Sequence, residues 1–175
     1  MKKITVKELV LMAFYVALFM VLDSSFNTLP IFQMPQGGSL GVSSLALLMA
    51  SYHLGWKKGL VVAMLSVLAQ FITGPMYTPS ILGFVLDYFL AYSVYGLASL
   101  FPNYKFFYSG VLITNLVRFA CSTISGVVIW ETPWLGSISY NASYMVPTMI
   151  LGLVMVPLLY KAVEPVIKKM NVNKD

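Results

Sequence analysis

Six apolar runs follow one another along this chain with almost nothing charged inside them, and that pattern constrains the fold more than any single motif. A helix needs about 20 apolar residues to cross a bilayer, because the hydrocarbon core is roughly 30 Å thick and each residue rises ~1.5 Å. Bounded by charge, Pro and Gly, the runs predict helices at about 7–24, 40–53, 56–74, 80–101, 107–130 and 138–164. The second is short for a full span. Apolar residues make up 59% of the chain and charged ones 10%, against roughly 45–50% and about 25% in soluble domains. The expectation is therefore an all-α integral membrane protein, a single six-helix domain over residues 1–175, with no length left for a soluble domain.

Orientation follows from the basic residues. Lys2, Lys3 and Lys7 precede the first helix, Lys57 and Lys58 fill the turn after the second, Lys105 separates the fourth and fifth, and Lys161, Lys168, Lys169 and Lys174 end the chain. With six spans all of these fall on one side, and the three opposite loops contain no Lys or Arg. The positive-inside bias makes the lysine side cytoplasmic, with both termini inside and Asp23 and Glu131 at the outer ends. The charged start followed by an apolar stretch resembles a signal peptide, but no small-residue cleavage site follows, so it reads as a retained first helix. Basic residues that bracket apolar runs, rather than forming a stripe with aromatics, indicate a lipid bilayer as the partner and not nucleic acid. The expected location is the bacterial plasma membrane, crossed several times.

Pro75, Pro79, Pro102 and Pro133 fall between runs, where a missing amide does least harm, whereas Pro147 and Pro157 fall inside the sixth helix and predict kinks. The stretch "IFQMPQGGSLGV" at 31–42 breaks the apolar pattern. The topology makes residues 25–40 an extracellular loop, in which Pro35 sets a turn, Gly37 and Gly38 supply freedom, and Ser39 caps the second helix.

A charge inside a bilayer is costly enough to face a partner or a cavity, which singles out Asp87 and Arg118. Asp87, in "ILGFVLDYFLAY" with Tyr88 beside it, has two readings: a carboxylate satisfied by Arg118 or helix-end donors, or an anion facing a cationic ligand from outside. Their depths argue against a direct pair, and Arg118 has a structural reading, snorkelling inward or holding helix-end carbonyls. In "GVVIWETPWLGSISYNASYMVP", Trp130 and Trp134 flank Glu131, while Tyr140, Asn141, Ser143 and Tyr144 open the sixth helix. An aromatic belt explains such residues at an interface. With Asp87 they also suit a pocket that stacks a flat ring, bonds its edge and holds a positive charge.

Nothing in the sequence suits catalysis. His53 sits beside Trp56 and Lys57 in a cytoplasmic turn, where a solvated or head-group role is expected. The chain contains no HExxH, Walker lysine loop or GxSxG, and no acidic pair for a metal. It is expected to be no enzyme, with no cofactor or metal of its own. Cys121, the single cysteine, excludes an internal disulfide and reads as a small packing residue. Ala13 and Ala17 lie four apart on one helix face, a spacing common in membrane helices that by itself reads first as internal packing and second as a groove for close approach by another helix. An autonomous secondary transporter or channel for a small cationic or aromatic metabolite is the rival reading, weakened by the lack of an internal repeat.

Taken together, "MPQGGSLGVSSLALLMASYHLGWKKGL", "LDYFLAY", "LVRF" with "ISGVVIW", and "YNASYMVP" resemble the thiamine-specific S components of energy-coupling factor (ECF) transporters, over about residues 13–150. The resemblance implies a six-helix, S-component fold that captures a vitamin from outside and works with a transmembrane coupling protein and two cytoplasmic ATPase subunits, which alone use ATP. It implies that Ala13 and Ala17 dock the coupling protein and that the 25–40 loop is a lid, with Gln36 and Gly38 near the ligand. Asp87 and Tyr88 match an acidic-Tyr ligand pair, Trp130 a ring-stacking Trp, and Asn141 a polar contact, with Tyr144 one turn further on. Three positions depart from the family. Ser122 stands where thiamine binders have His, Gly136 falls where they have a Tyr, and Thr148 replaces the Glu of "YMVPE". Such changes imply thiamine or a related ring, hydroxymethylpyrimidine or a pyridoxine-like compound.

Overall fold

The computed structural model describes residues 4–27, 29, 34, 37–73, 76 and 78–170. Its helices are α1 (Val6–Asn27), α2 (Ser44–Leu54), α3 (Trp56–Thr73), α4 (Ile81–Leu100), α5 (Ser109–Val128) and α6 (Trp134–Lys169). Of these, α1, α4, α5 and α6 are each long and apolar enough to cross a membrane. Pro35 and Gln36 of the expected lid lie outside the described residues, as do Pro75, Lys2, Lys3 and Lys174.

The core forms around α2, all 11 residues of which are buried. A helix apolar on every side has to be enclosed, and α1, α3, α4 and α6 all pack against this one. At ~1.5 Å per residue it is only about 16 Å long, an inner strut too short to span by itself. It starts at Ser44 and not at 40. The N-cap position is therefore Ser43 and not Ser39, and the hydroxyls at this start are used otherwise, Ser44 Oγ donating to the Gly41 carbonyl at 2.6 Å and Ser43 Oγ to Asp23 at 2.9 Å. Gly55, with φ 87°, joins α2 to α3 in a single left-handed residue.

The buried side chains of α1 form one stripe, Glu8, Met12, Tyr15, Phe19 and Asp23, spaced by three or four residues. Carboxylates thus close both ends of an otherwise apolar seam. Glu8 meets Lys58 at 3.3 Å. Lys58 is consequently buried in the first turn of α3, and not in the turn before it. The expectation for His53 is corrected in the same region. It is wholly buried, hydrogen-bonded through Nδ1 to the Tyr15 hydroxyl and stacked on Tyr160 at 5.3 Å. The α1 and α6 rings claim the histidine because it belongs to the last turn of α2, inside the bundle.

Helix α4 is not uniform. Its Ser80 cap accepts from the Gly83 amide at 3.0 Å, and the helix widens to π geometry over Val85–Leu90 and tightens to 3-10 over Val94–Leu100. Beyond it lies a hairpin that the apolar pattern did not announce, β1 (Asn103–Tyr104) paired antiparallel with β2 (Phe107–Tyr108). It delays the start of α5 to Ser109. At its other end α5 stops at Val128, two residues before the expected limit, because the chain turns through Glu131 at φ 51°. Helix α6 runs four residues earlier and five later than expected, with Pro147, Pro157 and Pro165 inside it.

Candidate functional site

The π segment of α4 carries Asp87 and Tyr88. Such widened turns are recurrent at functional sites because the extra residue re-aims the side chains around it. Asp87 is half-buried and faces α5, where Ser125 Oγ donates to its Oδ2 at 2.5 Å. The Ser122 and Trp130 side chains lie near enough to act on this carboxylate as well. Ser122 and Ser125 are three apart and share one face of α5. Asp87 is in no ion pair with Arg118 among the described residues, although the two feel each other electrostatically.

The wall continues onto α6 through Ser122. Asn141 Nδ2 donates to the Ser137 carbonyl at 2.9 Å and the Ser122 carbonyl at 3.4 Å, while its Oδ1 accepts from the Tyr144 hydroxyl at 2.6 Å. Both Asn141 and Tyr144 are buried. Tyr140 and Tyr144 pack edge to face with centroids 5.7 Å apart. The Tyr140 hydroxyl accepts from the Gly38 amide at 2.9 Å. A Cβ on Gly38 would come within 2.7 Å of both Tyr140 Oη and Tyr144 Cε1, so only glycine lets the backbone lie on these rings. Three residues further on, the Gly41 amide donates to Thr148 Oγ1 at 2.9 Å. The loop before α2 is thus fastened to α6 at two points.

Asp87, Ser122, Trp130, Asn141, Tyr144 and Gly38 are accordingly brought to one end of the α4–α5–α6 wall. Tyr88 sits slightly apart, half-buried in a ladder with Phe84 and Tyr92, whose rings lie within 16° of parallel. Gln36 lies outside the described residues. Trp130 remains 42% exposed, a ring beside Asp87.

Arg118 does not snorkel. It is 6% exposed, lies over the Tyr92 ring with Cζ 4.3 Å from the centroid, and donates to the hydroxyls of Tyr92 at 3.0 Å and Tyr95 at 3.4 Å. A lysine would reach the interface, but this planar guanidinium stacks on rings contributed by α4 instead. Sequence reasoning missed this box, and also the role of Tyr140 beneath Gly38. The tyrosines at 88, 92 and 95, spaced by four and three, were the available signal.

Ala13 and Ala17 are exposed and lie away from this wall. They floor an open apolar groove of about 490 Å³ between α1 and α3, rimmed by Leu65, Leu68 and Ile72.

This arrangement provides an anion whose hydrogen-bond donor among the described residues is a neutral hydroxyl, a partly exposed indole ring beside it, and a glycine backbone laid over two tyrosines. It can bind and orient a flat, amino-bearing or cationic ring. Two comparisons with known proteins identify the family. The thiamine transporter ThiT of Bacillus subtilis (strain 168) is 30% identical, an alignment covering 77% of this chain and 81% of the relative. A family model described as "Thiamine transporter protein (Thia_YuaJ)" matches residues 9–168. The chain belongs to the thiamine transporter protein family, as a multi-pass integral protein of the cell membrane.

Proposed function

We propose that this protein is the vitamin-binding S component of an energy-coupling-factor importer, taking up thiamine or a thiamine-related ring from outside the cell. The observation that carries this reading is the state of Asp87, a carboxylate in an apolar span that is hydrogen-bonded by Ser125, lies beside Ser122 and Trp130, and is in no ion pair among the described residues. Such a group is costly to keep unless it serves a partner, and a cationic or amino-bearing ring supplies one. The ligand stacks on Trp130, presents its amino edge to Asp87, and is covered by the backbone around Gly38. Asn141 and Tyr144, already bonded to each other, fix the rim against which the ring lies. Burial of the flat ring supplies most of the affinity, and the few polar groups set its orientation.

The departures from the family pattern have local explanations. Ser122 lies beside Asp87 with Ser125, and Thr148 Oγ1 fastens Gly41. These smaller groups favour a ring with fewer polar contacts than intact thiamine makes, which keeps hydroxymethylpyrimidine and a pyridoxine-like compound among the ligands. In this reading α2 and α3 complete six segments with both termini cytoplasmic. The Ala13 and Ala17 groove receives the coupling protein, and two partner ATPases supply the energy, consistent with a sequence lacking any phosphate-binding loop.

Titration calorimetry of the detergent-solubilised chain with thiamine, hydroxymethylpyrimidine and pyridoxine tests the ligand, and one of the three should saturate at a single site. Liposomes holding the chain alone should show no net flux of that ligand. Flux without ATPase subunits would identify an autonomous transporter instead.

A further inference from the structure

Asp23 takes no part in the wall described above, yet it is 8% exposed within α1. It is in no ion pair among the described residues. Its Oδ1 accepts from Ser43 Oγ at 2.9 Å and its Oδ2 from Gln70 Nε2 at 3.0 Å. Asp23 and Gln70 both act on Tyr92, whose hydroxyl accepts from Arg118 Nη2 at 3.0 Å. A buried chain of neighbouring groups, carboxylate, amide, phenol and guanidinium, therefore crosses α1, α3, α4 and α5.

Each end of that chain needs the other. A buried guanidinium is expensive without compensating charge, and among the described residues Arg118 has two phenolic acceptors, with its Nε buried and unpartnered. Asp87 reaches it electrostatically but is hydrogen-bonded by Ser125, with Ser122 and Trp130 beside it. Asp23, which acts on Tyr92 electrostatically, supplies the opposing charge on the other side. The Ser43 branch leads to the loop. Ser43 follows Gly41, which is bonded to Thr148 and lies so near Arg118 that a Cβ there would stand 3.0 Å from Nη1. One carboxylate thus fixes both the stem of the covering loop and the cationic wall beneath it.

The geometry points to Asp23 as a positioning residue for ligand retention, a buried anion in α1 that holds the Gly41–Ser43 stem and the Arg118–Tyr92 wall in register without touching the ligand. The inference rests on the pocket assigned under the proposed function. Without the Asp23 charge, stem and wall lose their common anchor, and bound ligand should escape faster while encounter from solution is little changed.

Stopped-flow binding of thiamine to the full chain, followed by Trp fluorescence, separates the two rate constants. Asp23→Asn should raise the dissociation rate about tenfold and alter the association rate less than twofold, and Asp23→Glu should recover part of the loss. Ser43→Ala should raise dissociation severalfold, and the Asp23→Asn/Ser43→Ala double variant should do no more than Asp23→Asn alone, because both break one path. Should Asp23→Asn fail to fold, Ser43→Ala and Gln70→Leu carry the same expectation separately. A lower apo melting temperature with dissociation unchanged would make Asp23 merely structural and overturn the inference. Asp87→Asn is the control: if it weakens binding while the Asp23 and Ser43 variants do not, only this inference fails. If it too is without effect, or if the unaltered protein binds none of thiamine, hydroxymethylpyrimidine and pyridoxine, the pocket reading fails and this inference with it.

Discussion

Ser125 on α5 donates a 2.5 Å hydrogen bond to Asp87 on α4, tying a membrane-buried carboxylate to a neutral hydroxyl. The bond orients the carboxylate without cancelling its charge. That leaves an anion, faced by two serines three residues apart, beside the partly exposed Trp130.

Replacing Asp87 with Asn keeps an acceptor for Ser125 and removes the charge. A hydrogen bond to a charged group is worth about 1.5–3 kcal/mol, so ligand affinity should fall by roughly ten- to a hundredfold with the melting temperature nearly unchanged. Calorimetric titration of both proteins measures it, and equal affinities would remove Asp87 from the site.

Trp130 lies beyond the last turn of α5, is 42% exposed, and has little packing to lose. Stacking on an aromatic ring contributes about 0.5–1.5 kcal/mol beyond area burial. Trp130→Ala should weaken ligand binding by that amount plus the lost contact area, and Trp130→Phe should restore most of it. Quenching of fluorescence by ligand should vanish largely in both variants if this is the ring that stacks.

Gly37 has φ 91°, and a Cβ at Gly38 would stand 2.7 Å from the rings of two tyrosines. The double change Gly37→Ala/Gly38→Ala should therefore lift the backbone from Tyr140 and alter ligand binding and release. Rates equal to those of the unaltered protein would show that this stretch does not cover the ligand.

Glu8 and Lys58 are both buried and lie 3.3 Å apart at the end of α1 opposite Asp23. Glu8→Ala leaves an ammonium buried without its carboxylate, a change costing about 3–5 kcal/mol. The melting temperature in detergent should drop strongly, whereas Glu8→Ala/Lys58→Met should recover much of the loss.

Ala13→Leu/Ala17→Leu fills a groove that is open and apolar but remote from Asp87. Ligand binding by the isolated chain should be unaffected, and ATP-driven uptake in the presence of the coupling protein and ATPases should be lost. Normal uptake would remove the groove from partner docking.

Much of this architecture was legible because the bilayer demands long apolar runs, and their limits fall within a few residues of α1, α3 and α4. The misses share one physical cause, since hydropathy reports where a residue can sit but not what it meets there. His53 read as solvated or facing head groups and Lys58 as part of the turn beside it, and burial of both depends on Glu8, Tyr15 and Tyr160 from other helices. Arg118 read as a snorkelling side chain because nothing local reveals two tyrosines waiting on α4. Asp23 looked like an interface charge, and its partners Ser43 and Gln70 lie 20 and 47 residues away. Asp87 and Asn141 could be singled out because a polar group in an apolar run stands out by itself. Ser125 did not, although its spacing of three from Ser122 brings the two to one face.

The central claim is that the wall around Asp87 holds a thiamine-type ring, and mass spectrometry of the small molecule that copurifies with the full chain tests it most directly. The account predicts thiamine, its hydroxymethylpyrimidine portion or a pyridoxine-like ring, displaced when Asp87 is changed to Asn. A preparation that carries an unrelated molecule, and gives no heat when titrated with any of the three, would contradict it.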